Sequence, residues 1–310
     1  MTLEKKIPID QELVNIFGVN DQNLNYLKSL FPNLEINVRG NVVYINGNSK
    51  DTQEATRILD EMIIMGSKNE TIEIPDLELI SKIKNSEKLE NSKVSQLNVI
   101  DNKFIKVKNL NQFKYLETID NSTITFGIGP AGTGKTFLAV ASAVKMYSEN
   151  KIKKIVLTRP AVEAGERLGY LPGDLSQKID PYLVPLFDSL EYFFGNETLQ
   201  YLIDKRNIEI VPLAYMRGRT LNDACIILDE AQNATISQIK MFLTRLGENS
   251  KMIITGDETQ IDLNNKTFSG LRKTRKTLSK IEEVSVLEFE NIDIVRNKIV
   301  SKILEVFPDK

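Results

Sequence analysis

The chain has 310 residues, 41% of them hydrophobic and 26% charged, with a net charge of −2; this suits one full-sized α/β domain plus a smaller module. It has no histidine and one cysteine, Cys225, which excludes an internal disulfide, zinc sites of the Cys/His type and histidine-assisted hydrolase chemistry. The balanced charge confines any nucleic-acid contact to a local patch. No apolar run reaches the ~18 residues of a membrane span and the start does not read as a signal peptide, which predicts a cytoplasmic protein with no membrane partner.

Residues 1–66 read as a small α+β module. Asn20 or Asp21 is placed to cap a helix carrying Leu24, Leu27 and Leu30, closed by Pro32. Leu34–Val38 and Val42–Asn46 alternate apolar and polar around Arg39-Gly40-Asn41, the pattern of a hairpin. Asp51 then opens a helix with Ala55, Ile58, Leu59, Met62 and Ile63 on one stripe. This helix–hairpin–helix order resembles half of a KH-like RNA-binding module, but the GxxG loop that grips nucleic-acid backbone is not evident. A packing or assembly module is therefore preferred over an independent RNA binder. Residues 67–103 are polar and weakly periodic, a linker with a short helix over Asp76–Lys84.

Residues 104–310 form the second domain. Apolar runs at Thr123–Ile128, Lys154–Thr158, Ile208–Pro212, Cys225–Leu228, Met252–Thr255 and Glu283–Phe289 alternate with amphipathic stretches, which predicts a mainly parallel, doubly wound α/β sheet. Before the first run lies Asn111-Gln112-Phe113; a glutamine there can read the N6 and N7 edge of adenine. After it comes Gly129-Pro130-Ala131-Gly132-Thr133-Gly134-Lys135-Thr136, a full GxxxxGK[ST] match followed by an Ala- and Val-rich helix to about Tyr147. Strand, glycine-rich loop and helix N-terminus together make a cradle of backbone N–H groups for phosphate. Lys135 is predicted to reach the β- and γ-phosphates of ATP, and Thr136 to place its hydroxyl on Mg2+.

The run Cys225–Leu228 ends in Asp229-Glu230-Ala231-Gln232. Asp229, at a strand's C-terminal end, is predicted as the second magnesium ligand, and Glu230 as the group that orients or deprotonates water. The next run ends in Thr255-Gly256-Asp257-Glu258-Thr259-Gln260. There Gln260 is the candidate for sensing the γ-phosphate, against the plainer reading of a Gly-Asp turn. Arg159, Arg167, Arg217, Arg219, Arg245 and Arg296 are candidate phosphate or nucleic-acid arginines. Arg272-Lys273-Thr274-Arg275-Lys276 is either a set of phosphate contacts or the exposed face of a helix.

Six stretches carry a family resemblance: GIGPAGTGKTFLAV (127–140), TRPAVEAGERLGYLPGDL (158–175), DPYLVPLFDSL (180–190), PLAYMRGRTLNDACIILDEAQNAT (212–235), KMFLTRLGENSKMIITGDETQIDL (240–263) and DIVRNKIVSKIL (293–304). Over roughly residues 104–304 the chain resembles the PhoH-like family of P-loop ATPases, which is similar to the RecA-like core of superfamily 1 helicases. The resemblance implies ATPase activity and links to RNA metabolism and ribosome maturation. It also implies ring-like homo-oligomers such as hexamers. It places Gln112 near adenine and Lys135, Thr136, Asp229, Glu230 and Gln260 around the phosphates. Where the family usually carries DIVRHP this chain has Asp293-Ile294-Val295-Arg296-Asn297-Lys298; Arg296 is kept for an arginine-finger role, and the His–Pro pair is gone. Since the chain has room for one motor domain, a neighbouring subunit could supply the second wall of the site. Three functions follow: an RNA-associated, helicase-like ATPase; a nucleotide switch acting on a partner such as an RNA-processing enzyme; or a small-molecule kinase.

Overall fold

The computed structural model describes residues 2–8, 12–66, 72–82, 96–100, 103–160, 183–263 and 269–295. The chain divides into two compact units, one of Met1–Leu97 with Lys106–Leu110 and one of Asn98–Ile105 with Asn111–Lys310.

In the first unit, strands β1 (Thr2–Lys6), β2 (Glu35–Arg39) and β3 (Val42–Asn46) make an antiparallel sheet in the order β1-β3-β2. The hairpin is the expected one. Arg39 faces Val42 across a two-residue turn in which Gly40 takes a φ of 56°, the left-handed conformation such turns demand. The β1 strand was not foreseen, because TLEKK buries none of its side chains fully. Helices α1 (Leu13–Phe17), α2 (Gln22–Leu30), α3 (Ser49–Gly66) and α4 (Ile74–Lys82) complete the unit. The stripe of α3 buries Ala55, Ile58, Leu59 and Met62, with Met65 taking the place expected of Ile63. Asn20 and Asp21 both stand in left-handed backbone, and the Asp21 side chain makes no capping bond to α2. The polar residue that does bind there is buried Asn23, whose amide donates to the carbonyls of Ile16 and Ile72. Helix α4 starts two residues before the predicted Asp76. The end predicted at Lys84 lies outside the described residues.

Strands β4 (Gln96–Ile100) and β5 (Lys103–Lys106) pair with each other. The second unit then runs α5 (Leu110–Asn121), β6 (Ile124–Ile128), α6 (Lys135–Ser148), β7 (Lys154–Arg159), α7 (Val184–Phe194), α8 (Asn196–Asp204), β8 (Ile208–Pro212), β9 (Ala224–Leu228), α9 (Ile236–Leu243), β10 (Lys251–Gly256), α10 (Leu271–Leu278) and β11 (Val284–Glu288). All six predicted apolar runs are strands. They form one parallel sheet in the order β11-β6-β10-β9-β7-β8. Phe126, Ile128, Val156, Ile226, Leu228, Met252 and Ile254 join Ile239, Phe242 and Leu271 of α9 and α10 in one core. Helix α6 packs against β7, β9 and β10. Central strands covered on both faces read as continuous apolar runs, which is why the sequence revealed them. No helix among the described residues is long and apolar enough to cross a membrane.

Sheet order decides where chemistry can occur. Strand β10 lies between β6 and β9, with Gly256 in register with Ile128 and Ile254 with Leu228. The polar residues after all three strands therefore meet at one edge, outside the carboxyl ends of a parallel sheet where such folds bind ligands.

Candidate nucleotide site

The loop leaving β6 owes its shape to its glycines. Gly129, Gly132 and Gly134 have φ values of 148°, 85° and 85°, which only glycine adopts without strain. A Cβ at Gly129 would sit 2.5 Å from the carbonyl oxygen of Phe289. That residue is fixed by its N–H donating to Ile128 O at 2.7 Å and by its ring lying edge-on to Tyr115 at 5.3 Å. The loop opens α6 directly, so the helix N-terminus faces the cleft.

Ala131, Gly132, Gly134, Lys135, Thr136, Asp229, Glu230 and Gln260 line one cleft of about 330 Å3, joined by Arg159 and Asp257, with Pro185 and Ser189 of α7. Lys135 is 8% exposed, and its amine donates to the carbonyls of Gly129 and Pro130, both at 2.7 Å. Asp229 is 2% exposed. Its Oδ1 accepts the hydroxyls of Thr136 at 2.7 Å and Thr255 at 2.6 Å. Its Oδ2 is buried without a hydrogen-bond partner among the described residues and lies 3.3 Å from Arg159 Nη2. The same guanidinium nitrogen holds Glu230 Oε1 at 2.8 Å. Glu230 itself stands in left-handed backbone, φ 53° and ψ 40°, a costly conformation for a non-glycine residue that concentrates at functional positions.

These residues suit a hard cation beside a polyphosphate. A buried carboxylate oxygen without a hydrogen bond stands next to a threonine hydroxyl already in contact with the same carboxylate. Such an oxygen-only donor set is the kind magnesium shares with substrate phosphates. Among the described residues no cluster of three or more His, Cys, Asp or Glu forms a metal cage, so the pair Thr136 and Asp229 is the available holder.

Other predicted residues fall elsewhere. Gln112 is 4% exposed behind the loop, where its amide donates to Thr133 O at 2.9 Å. Arg219 pairs with Glu209, and Arg245 donates to the carbonyls of Met241 and Arg219; neither lines the cleft. Arg275 pairs with Glu258 and Glu288 while Arg272, Lys273 and Lys276 are exposed, so the basic run is largely a solvated face of α10. Arg167 and Arg296 lie outside the described residues.

Several site residues had not been singled out. Thr255 reaches Asp229, as described. Asp257, 4% exposed, accepts the loop N–H of Ala131 through Oδ2 at 3.1 Å and the hydroxyl of Thr259 through Oδ1 at 2.6 Å. Gln232, 1% exposed, accepts the N–H of Asp257 at 3.0 Å and donates to Glu230 Oε2. After β11, Asp293 accepts from Asn111 at 2.7 Å and from the N–H of Glu290 at 2.8 Å, and Val295 N–H donates to Gly132 O at 2.9 Å. Their signal was there in part, as polar residues directly after apolar strands.

A six-stranded parallel α/β sheet with this loop between its P-loop strand and helix defines the P-loop class, whose common task is nucleotide binding. The model of the family described as PhoH-like protein matches residues 104–308. A PhoH-like protein of Bacillus subtilis is 44% identical over 315 residues, covering 99% of this chain and 97% of its own. One of Mycobacterium tuberculosis strain H37Rv is 44% identical over 299 residues, covering 95% and 84%. Protein PhoH of Escherichia coli K12 is 40% identical over 205 residues, covering 66% and 58%. The chain belongs to the PhoH family.

Proposed function

We propose that this protein binds ATP with magnesium and hydrolyses it, and that turnover remodels RNA in a helicase-like manner during RNA metabolism or ribosome maturation. The observation that carries hydrolysis is Glu230: a second carboxylate beside the Asp229–Thr136 pair, gripped by Arg159 and Gln232 on the wall of the cleft. The loop N–H groups bind phosphate oxygens. Lys135 exchanges its carbonyl partners for the β- and γ-phosphates, and Gln260, exposed at the rim, contacts the γ-phosphate. Gln112 reads adenine by giving up its bond to Thr133 O. Magnesium, held by Thr136 and Asp229, supplies charge neutralisation to the phosphates when bound. Glu230 orients a water molecule and accepts its proton as the water oxygen bonds to the γ-phosphorus and the bond to the bridging oxygen breaks, releasing ADP and phosphate.

The link to RNA rests on the likeness of the motif set to helicase cores, and it carries further proposals with it. These are RNA and an RNA-processing enzyme as partners, a ring-like homo-oligomer in which Arg296 acts from a neighbouring subunit, and a place in the cytoplasm. The test is ATP turnover with and without single-stranded RNA, run beside Glu230→Gln. Turnover that RNA stimulates, and that the substitution lowers at least ~100-fold with ATP still bound, supports the proposal. Turnover indifferent to RNA but altered by a protein partner favours the switch. Transfer only in the presence of a small-molecule acceptor replaces hydrolysis with a kinase activity.

A further inference from the structure

We propose that Gln232 is the positioning residue for Glu230 and ties the orientation of that carboxylate to the phosphate-binding loop. The inference rests on the ATPase reading above. A side chain 1% exposed in the turn after β9 makes two bonds of opposite sense: Oε1 accepts the N–H of Asp257, and Nε2 donates to Glu230 Oε2. Only one orientation of the amide satisfies both, with its oxygen toward the N–H donor and its nitrogen toward the carboxylate. Asp257 in turn accepts the loop N–H of Ala131 at 3.1 Å. A continuous chain of bonds thus runs from the loop, through Asp257 and Gln232, to the group that orients water.

Two features mark this as more than a satisfied core amide. The donor end of Gln232 is spent on a carboxylate that lines the cleft, and that carboxylate's other oxygen is held by Arg159 at 2.8 Å. With both oxygens held on a left-handed residue, the plane of the carboxylate is fixed, and losing one holder frees it to turn. Space is also reserved for the amide: a Cβ at Gly256 would lie 3.0 Å from Gln232 Oε1 and 2.6 Å from Leu271 Cδ2. Misplacing a reacting group by about an ångström costs roughly 100-fold in rate, so the expected loss is roughly 10- to 100-fold in kcat.

The experiment compares full-length wild type, Gln232→Met and Gln232→Glu by ATP turnover and by equilibrium binding of a fluorescent ATP analogue. Methionine keeps the volume and removes both bonds. Glutamate keeps the acceptor toward Asp257 and, when ionised, offers Glu230 a like charge in place of a donor, so kcat is expected to fall at least as far if methionine does not fold. The expected result is the fall in kcat with KM and analogue affinity within about 3-fold of wild type. In a Glu230→Gln background the same change has no further effect on single-turnover hydrolysis, because Gln232 acts through Glu230. Turnover within 2-fold of wild type overturns the inference. So does a parallel loss of nucleotide affinity, or an equal loss in the Glu230→Gln background; each marks a scaffold residue. A wild-type protein that turns over no ATP refutes the ATPase reading and takes this inference with it.

Discussion

Thr255→Val isolates one bond at the centre of the site. Thr255 is fully buried at the end of β10, and its hydroxyl donates 2.6 Å to Asp229 Oδ1. Valine keeps the branched shape that suits a strand and removes only the donor. Asp229, 2% exposed, then keeps Thr136 at 2.7 Å as the one hydrogen bond on that oxygen. A hydrogen bond to a charged group contributes about 1.5–3 kcal/mol. Because Thr136 remains, the lower part of that range applies, about 2 kcal/mol. The unit holding the site has roughly 200 residues, for which 1 kcal/mol moves the melting temperature by about 2–4 °C. The transition of this unit in scanning calorimetry is therefore expected to fall by about 4–8 °C. Thr255→Ser keeps the hydroxyl and is expected to lose less than half as much. A Thr255→Val protein melting within a degree of wild type, or a serine variant falling as far as the valine one, would show that Asp229 is not held by this hydroxyl.

Two further outcomes follow from the same geometry. Gly129→Ala places a Cβ 2.5 Å from the Phe289 carbonyl at a φ of 148°, so affinity for a fluorescent ATP analogue should drop at least ~10-fold; unchanged affinity would mean that the loop and the segment after β11 can separate freely. Burial pushes the Cys225 thiol up to about 12, with Lys251 acting weakly the other way. The thiol stays neutral in the fold while the unfolded chain ionises near 9, so its stabilisation is full below that pH and is lost as pH rises toward 12. Between pH 8 and 10 the wild type should lose about 1.4 kcal/mol more than Cys225→Ala in urea unfolding. Equal losses in the two proteins would place the thiol in contact with water.

The central strands were legible because they are buried on both faces, and the loop was legible because its chemistry is local in sequence. Eight consecutive residues dictate the turn, the amide cradle and the helix start. The backbone of Glu230 was not legible. Nothing in Asp229-Glu230-Ala231 announces a left-handed residue at Glu230. The candidate arginines looked alike in sequence: Arg159 reaches Asp229 and Glu230 because it ends β7, the neighbour of β9. Nor did the polar start of the chain show that it would pair with β3, because a lightly buried edge strand needs no apolar pattern.

Strand order accounts for the rest of what the sequence withheld. In chain order β6, β9 and β10 are separated by other elements, and their adjacency is decided by how intervening helices cover the sheet. Placing β10 between β6 and β9 puts Thr255 against Asp229 on one side and Asp257 against Ala131 on the other. Had β9 stood next to β6, the DEAQ turn would meet the loop directly and Gly256–Gln260 would lie at the margin, where a Gly-Asp turn has no chemistry to do. The inserted strand makes that turn the link between the loop and the Glu230 carboxylate. The loop and Glu230 are therefore joined by hydrogen bonds through two buried side chains, Asp257 and Gln232.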